Sequence, residues 1–237
     1  MISGGRLMIS VALAAYKGEK YIEQQIRSIL PQLSHGDEII VSDDYPQGLT
    51  REAVMKIADR DKRVKYIEGE GKGVVRNFEN ALEACAGDVI FLCDQDDIWQ
   101  ADKVSSVMAE ISNGADLVLH DAAVTDADLN ITEPSFFALH GSNADFKHNL
   151  IRNTFVGCCM AFTRQVMLDT LPFPRELPMH DWWIALAAIR KGYKTVLLNK
   201  PLILWRRHGD NVTGGKTTAV QKIKWRLKMI ASLAKIK

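Results

Sequence analysis

Residues 88–99 read DVIFLCDQDDIW, an apolar run that ends in four polar residues, three of them acidic. A short apolar run bounded in this way predicts a buried β-strand over 88–93. In open α/β sheets, ligands bind beyond the carboxyl ends of the strands, so the acidic residues stand where a ligand would be held. Alternate residues of an extended segment face the same side, so Asp94 and Asp96 can converge on one ligand.

Two chemical roles for this acidic segment remain open on the residues alone. Two carboxylates suit a hard cation, Mg²⁺ or Mn²⁺, which keeps coordination positions for phosphate oxygens. The plainer alternative is that Asp96 or Asp97 caps the helix that follows.

The alternation of strand and helix extends outward from this segment. It is typical of βαβ units and predicts a mostly parallel, Rossmann-like α/β sheet with helices on both faces. The predicted strands of the first half are 8–14, 38–42, 64–67, 88–93 and 116–120, and the predicted helices lie near 21–30, 51–59, 75–86 and 104–111.

Beyond about residue 125 this rhythm is lost. The polar and aromatic segment 134–149 predicts an irregular loop that lines a site. The predicted elements that follow are strands at 156–163, 195–198 and 202–205 and an apolar helix at 181–191.

Length and composition exclude several protein classes. A chain of 237 residues with 47% hydrophobic and 25% charged residues is neither disordered nor a coiled coil, and it can bury a real core. No apolar stretch approaches the roughly 18 to 20 residues of a membrane span, and the first residues do not predict a signal peptide. Four cysteines, two of them adjacent, favour neither a disulfide framework nor a CxxC metal site, so we expect a reducing cytoplasm.

The net charge of +1 conceals a basic carboxyl-terminal segment. Residues 216–237 carry seven Lys or Arg and no acid, which leaves about −6 for the rest of the chain and argues against a nucleic-acid partner. Apolar residues recur in this segment at helical spacing and predict a basic amphipathic helix, which either lies on anionic lipid or packs on the body of the protein. These apolar residues are Val220, Ile223, Leu227, Ile230 and Ala234.

A series of segments, in order along the chain, resembles the family 2 glycosyltransferases of the GT-A fold. The matching segments are 11–16 with 21–22, 38–44, 73–77, 88–99 and 180–183. Residues 206–212 are similar to an Arg-x-His-x-x-Asn stretch of bacterial polysaccharide glycosyltransferases, especially those that are rhamnosyltransferase-like.

The resemblance implies one catalytic domain over 8–215. Its nucleotide-sugar half would be 8–125 and its acceptor half 126–215, followed by the basic helix of 216–237. The implied activity is an inverting, metal-dependent transfer of a sugar from a UDP- or dTDP-sugar to a saccharide, which could be lipid-linked. The implied setting is bacterial capsule or O-antigen assembly, in the cytoplasm or at the inner face of the plasma membrane.

The resemblance also implies a role for each matching residue. Asp96 and His208 would bind the cation, Mn²⁺ or Mg²⁺, on the diphosphate. Asp181 would be the general base, unless it only caps its helix, and Trp182 or Trp183 would face the acceptor. The implied nucleotide-sugar contacts are Ala14, Ala15, Tyr16, Asp43, Arg76, Asp94, Gln95 and Arg207.

Four residues depart from the family pattern. Members commonly have Thr or Ser at Ala15, Asn at Lys17, and Gly-Ser where this chain has Tyr45-Pro46. The Tyr45-Pro46 departure keeps open a nucleotide- or carbohydrate-binding module without turnover, which the retained Asp181 opposes. A sugar nucleotidyltransferase would also use an α/β sheet and a metal, but this chain lacks the Gly-rich phosphate loop expected after its first strand.

Overall fold

Strands and helices alternate through the first half of the chain, as predicted. The computed structural model describes residues 6–209 and 218–236. The elements of the first half are β1 (Ile9–Ala15), α1 (Ile22–Ile29), β2 (Glu38–Asp43), α2 (Thr50–Ala58), β3 (Val64–Glu68), α3 (Val74–Ala84) and β4 (Val89–Asp94).

The second half mixes short and long elements. They are β5 (Ile98–Trp99), α4 (Lys103–Ser112), β6 (Leu117–Thr125), β7 (Ile131–Glu133), α5 (Phe136–His140), α6 (Phe146–Ile151), β8 (Met160–Thr163), α7 (Arg164–Thr170), α8 (His180–Arg190), β9 (Thr195–Arg206) and α9 (Ala219–Leu233). The sequence did not predict β5, β7 or α7.

One sheet runs through the described residues in the order β3–β2–β1–β4–β8–β6–β9–β5, with β7 beside β6. The pairs among β1 to β4 are parallel, as is β6 with β9, whereas β8 is antiparallel to both of its neighbours. The short strands β5 and β7 also pair antiparallel, with β9 and β6, but most of the paired residues lie in the parallel ladders, so the prediction of a mostly parallel sheet is confirmed.

The core forms two apolar layers, one on each face of the sheet. Successive residues of a strand point to opposite faces. Val11 and Leu13 of β1 pack in the cluster that contains Ile26 of α1, whereas Ala12 packs in the cluster that contains Phe78 of α3. The helices therefore cover both faces, and the carboxyl ends of the parallel strands are left to form a site.

Several predicted segments differ from the structure. The strand predicted at 156–163 begins only at Met160, after a 3₁₀ turn over 157–159, and the strand predicted at 116–120 extends to Thr125. Segment 134–149 contains α5 and most of α6, and the side chains of Ser135 and Asp145 accept backbone N–H groups at their first turns. Strand β9 is continuous over 195–206, because its pairing with β6 shifts register where Asp121 lies opposite Pro201. A proline is tolerated at such an irregularity. Among the described residues, no helix has the length and apolarity needed to cross a membrane.

Candidate active site

Three neighbouring strands end side by side and bring together residues from distant parts of the sequence. Strand β1 lies between β2 and β4, and the pairing sets Ala15 opposite Asp43 and Ala14 opposite Asp94. Asp43 is fully buried, and Ala14 and Ala15 are nearly so. Four of the residues predicted to contact a nucleotide sugar therefore lie at one edge of the sheet.

Asn77 of α3 ties the ends of β1 and β2 together. Its Nδ2 donates to the carbonyls of Ala15 at 3.0 Å and Ser42 at 2.9 Å, and its Oδ1 accepts from the Ser42 hydroxyl at 2.6 Å. The side chain is 2% exposed, so this buried amide is satisfied at both ends. Asn77 is a positioning residue whose role the sequence did not reveal, although it closes segment 73–77.

The two acidic residues at the end of β2, Asp43 and Asp44, have different roles. The carboxylate of Asp43 accepts from the Tyr66 hydroxyl at 3.0 Å and from the Tyr45 N–H at 3.1 Å, and burial raises the pKa of this carboxyl. The carboxylate of Asp44 accepts three backbone N–H groups of residues 71–73, at 2.7 to 3.3 Å. Asp44 thus fixes the loop that leads into α3.

Gln95 fixes the loop after β1. Its Oε1 accepts the Tyr16 N–H at 2.8 Å, and its Nε2 donates to the Tyr16 carbonyl at 3.0 Å. A Cβ at Gly18 would lie 2.2 Å from this Oε1, which explains the glycine there. The predicted donor contact of Gln95 is therefore indirect in this structure, because its amide already holds the Tyr16 backbone.

Two tyrosines and a lysine form the exposed rim beside this loop. The rings of Tyr16 and Tyr45 lie 5.8 Å apart, edge to face, and the Lys17 Nζ lies 5.3 Å and 4.9 Å from their centroids. Tyr16 is 51% exposed. Lys17 has a φ of +50°, a conformation that asparagine adopts more readily than lysine. Two of the departures from the family pattern, Lys17 and Tyr45, thus meet at one place.

Asp96 and His208 meet although 112 positions separate them. The His208 Nε2 lies 2.8 Å from an Asp96 carboxylate oxygen, and the two side chains are 8% and 12% exposed respectively. Burial, and then the negative charges of Asp96 and Asp181, raise the pKa of the nearby Asp94 carboxyl. The two predicted cation ligands therefore lie together, beside a third carboxyl and within the electrostatic reach of the predicted base.

The donor set at this point suits a hard divalent cation. Ligand atoms of Asp94, Asp97 and Cys158 lie within 4.8 Å of one another, and one Asp97 oxygen is buried without a hydrogen-bond partner within the described part of the chain. A hydrogen bond with Cys159, together with burial, raises the pKa of the Cys158 thiol well above its usual value, so the sulfur keeps its proton. Carboxylate oxygens suit Mn²⁺ or Mg²⁺ better than a thiol does. Asp94 and Asp97 offer clustered carboxylate oxygens, and the charge of Asp96, which pairs with His208, acts on both of them. Asp94, Asp96, Asp97 and His208 are therefore the residues that could hold the cation.

Arg206 forms hydrogen bonds with the acidic segment that follows β4. Its guanidinium donates to the carbonyls of Asp96 and Ala127, each at 2.8 Å, and to the Gln24 amide oxygen at 2.7 Å. Its backbone N–H donates to an Asp97 carboxylate oxygen at 3.1 Å. The side chain is 5% exposed and lies 4.6 Å from the Tyr21 ring centroid. Arg206 therefore fixes the backbone of Asp96 and the side chain of Asp97, a positioning role that the sequence did not reveal.

Asp181 lies in the first turn of α8 and is 4% exposed. One carboxylate oxygen accepts the Trp182 N–H at 2.6 Å, and the Gly157 N–H also bonds to this carboxylate. Burial nevertheless raises the pKa of the Asp181 carboxyl to about 6. Such a group is mostly ionised at neutral pH and is a stronger base than an ordinary aspartate, as a general base requires.

The alternative in which these acidic residues only cap helices is wrong. The N-cap of α4 is Asp102, and strand β5 separates Asp96 and Asp97 from that helix. The N-cap of α8 is Met179, so Asp181 lies inside its helix.

Both indoles of the predicted acceptor pair point into the core. Trp182 and Trp183 are 4% and 5% exposed. Their indole N–H groups donate to the carbonyls of Asn149 at 2.8 Å and Thr170 at 2.9 Å. Both indoles are therefore packed inside the core of this structure, because α8 is buried on nearly every side, and the contact of one of them with the acceptor stays a prediction.

The two predicted phosphate-binding arginines lie in different settings. The Arg76 guanidinium pairs with Glu79 and donates to the carbonyls of Phe173 and Pro174, so it joins α3 to the loop after α7. The Arg207 guanidinium lies 4.8 Å from the Trp205 ring centroid. The end of the predicted Arg-x-His-x-x-Asn stretch, Asp210 to Val212, lies outside the described residues.

The family follows from comparison with known sequences. The sequence pattern of Glycosyl transferase family 2 matches residues 10–171, which is more than half of the chain. The chain belongs to glycosyltransferase family 2. It is 24% identical to TuaG of Bacillus subtilis, named for teichuronic acid biosynthesis, over 91% of this chain and 85% of that one.

Two further relatives carry names that state a donor. The dTDP-rhamnosyl transferase RfbG of Shigella flexneri is 25% identical over 90% of this chain and 77% of its own length. WfgD of Escherichia coli is a UDP-Glc:alpha-D-GlcNAc-diphosphoundecaprenol beta-1,3-glucosyltransferase and is 25% identical over 77% of this family 2 chain and 70% of its own length.

Solved structures confirm the GT-A fold of this family 2 member. Residues 1–349 of Staphylococcus aureus TarS, in complex with UDP-GlcNAc, superpose with a TM-score of 0.73 over 97% of this chain and 67% of that one, at 16% identity. The mannosyltransferase PcManGT of Pyrobaculum calidifontis, in complex with GDP-Man and Mn²⁺, gives a TM-score of 0.64 over 97% of this chain and 70% of that one, at 18% identity.

Proposed function

We propose that this protein is an inverting, divalent-cation-dependent glycosyltransferase of bacterial cell-surface polysaccharide synthesis. It would transfer a sugar from a UDP- or dTDP-sugar to a saccharide acceptor carried on a lipid, at the inner face of the plasma membrane. The observation that carries the proposal is the 2.8 Å contact between the His208 Nε2 and an Asp96 carboxylate oxygen. This pair lies beside Asp94, whose pKa is raised in part by the charge of Asp181. The names of RfbG and WfgD support the class of donor, and that of WfgD supports a lipid-linked acceptor.

The proposed reaction is a single displacement at the anomeric carbon. Asp181 accepts the proton of the acceptor hydroxyl as the hydroxyl oxygen attacks that carbon, and the bond to the nucleoside diphosphate breaks on the opposite face. The anomeric configuration therefore inverts, and no covalent sugar intermediate forms on the protein. Asp94, Asp96 and His208 would hold the cation, which when bound stabilises the negative charge of the departing diphosphate as a Lewis acid.

The remaining residues of the site orient the donor. The ends of β1 and β2, held together by Asn77, would receive the nucleoside, and the loop fixed by Gln95 would border it. Arg206 keeps the Asp96 backbone in place through its carbonyl. These contacts hold the site in one geometry before the donor arrives, which lowers the cost of binding it.

The test is turnover with a defined donor and acceptor pair. The chain is incubated with Mn²⁺, a GlcNAc-diphosphate carried on a short lipid, and either UDP-glucose or dTDP-rhamnose, and release of the nucleoside diphosphate is followed. One donor should be turned over with inversion, and Asp181→Asn should lower kcat by about 10²- to 10⁴-fold. Asp128→Asn, at an exposed turn, is the matched control.

Failure has two recognisable forms. Nucleotide binding with no turnover, unchanged in Asp181→Asn, would make the protein a binding module. Release of pyrophosphate from a nucleoside triphosphate and a sugar phosphate would make it a nucleotidyltransferase.

A further inference from the structure

Helix α9 presents a row of apolar side chains to solvent. Val220, Ile223, Leu227 and Ile230 are 76%, 54%, 63% and 47% exposed. Their spacing of three and four residues places them along one face of the helix. We call these four residues the outer stripe. Large apolar side chains scattered singly on a surface are ordinary, but four in a continuous row mark an interaction surface.

The opposite face of α9 is anchored, so the outward direction of the stripe is fixed. Met229 is fully buried and Leu233 is 3% exposed, and both belong to the core cluster that contains α8. The Arg226 Nε donates to the Ile151 carbonyl at the end of α6 at 2.8 Å, and Lys228 pairs with Glu176 at 2.8 Å. The helix therefore cannot turn its outer stripe inward without losing these contacts.

Positive charge lies beside the outer stripe. Lys224 and Lys228 lie along one border of the stripe, where Lys228 pairs with Glu176, whereas Lys222 and Arg226 follow the line of Met229 and Leu233 along the helix. Helix α9 contains no acidic residue, and Lys222 and Lys224 are exposed. An exposed apolar row on a helix with exposed lysines and no acid complements a surface that is apolar inside and anionic at its boundary.

We infer that α9 lies in the plane of an anionic lipid surface. The outer stripe enters the boundary between headgroups and acyl chains, and the exposed Lys222 and Lys224 bind lipid phosphates. A second copy of this chain fits less well, because pairing the two stripes would bring two basic helices together. Since α9 packs on α6 and α8, the lipid surface lies on the side of the molecule that carries the acceptor half.

The experiment is co-sedimentation of the 237-residue chain with vesicles of phosphatidylcholine, with and without phosphatidylglycerol. Binding should require phosphatidylglycerol and should weaken with added salt. Leu227→Glu should weaken it by at least about tenfold and Lys224→Gln by about fivefold, because each basic residue near the surface contributes about 1 kcal/mol. Leu168→Glu is the matched control, since Leu168 is a 53% exposed leucine on α7.

Two results would overturn the inference. One is wild-type protein that stays in solution with anionic vesicles, or that sediments equally with Leu227→Glu and Leu168→Glu. The other is a dimer in light scattering that Leu227→Glu dissociates while vesicle binding is unchanged, which would assign the stripe to self-association. Urea unfolding followed by tryptophan fluorescence shows that every variant is folded, and it keeps this test separate from the test of the proposed activity.

Discussion

Replacing Arg206 by lysine would test how the acidic segment is held in place. The change keeps the positive charge but removes the planar fork that donates to Asp96, Ala127 and Gln24. One ammonium group cannot reach all three acceptors, so we expect two hydrogen bonds to be lost. At about 1 to 1.5 kcal/mol for each bond in this buried setting, the free energy of unfolding should fall by about 2 to 3 kcal/mol.

The assay is urea unfolding followed by tryptophan fluorescence, together with Mn²⁺ titration in the presence of UDP or dTDP. Because Arg206 orients the backbone of Asp96, we expect Mn²⁺ affinity to fall as well as stability. Arg27→Lys is the matched control, since its ion pair with Glu23 is exposed and contributes little. If Arg206→Lys and Arg27→Lys gave the same stability and the same Mn²⁺ affinity, the reasoning would be refuted.

Three further changes give distinct results. Gly18→Ala must displace the Gln95 amide from its two hydrogen bonds, so we expect a loss of about 1 to 2 kcal/mol in urea unfolding and weaker nucleotide binding by calorimetry. If Gly18→Ala had the stability of the wild type, the Gln95 amide would not make these two hydrogen bonds. Asn77→Asp sets a carboxylate against two strand-end carbonyls, and the unfolding free energy should fall by about 2 to 4 kcal/mol, whereas Asn113→Asp, at an exposed helix end, serves for comparison. The activity depends on ionised Asp181, whose pKa is about 6, so kcat/KM should fall about tenfold per pH unit below pH 6 and level off above it; a flat profile from pH 5 to 8 would exclude Asp181 as the base.

The strands of the first half were predictable because each is a short apolar run that ends in polar residues. Strand β9 was harder to predict, since Lys200-Pro201 has the appearance of a break in the sequence. A register shift in the pairing with β6 accommodates Pro201, so the strand continues. The local sequence does not indicate this pairing, because the partner residue lies about 80 positions away. Helices α5 and α6 did leave local traces, in the capping residues Ser135 and Asp145.

The site was predictable where a residue type carries its own chemistry. Asp94, Asp96 and His208 stand at strand ends with side chains suited to a cation, and the fold brings them together. The positioning roles of Arg206 and Asn77 were missed because they depend on hydrogen-bond partners that are distant in sequence. Gln24, for example, is 182 positions from Arg206.

The orientation of the tryptophans could not be predicted from sequence. Helix α8 buries nine consecutive residues from His180 to Ala188, so it has no polar face that would show which side is outward. Trp182 and Trp183 both found carbonyl partners inside the core.

The central claim is that Asp96 and His208 hold a cation that a nucleoside diphosphate needs in order to bind. The most direct measurement is calorimetric titration of UDP and of dTDP into the wild-type chain and Asp96→Asn, each with Mn²⁺ and with EDTA. We predict that one nucleotide binds to the wild type only with Mn²⁺, and that Asp96→Asn abolishes this dependence together with the binding. Equal affinity in Mn²⁺ and EDTA, or unchanged Mn²⁺-dependent binding in Asp96→Asn, would contradict the claim.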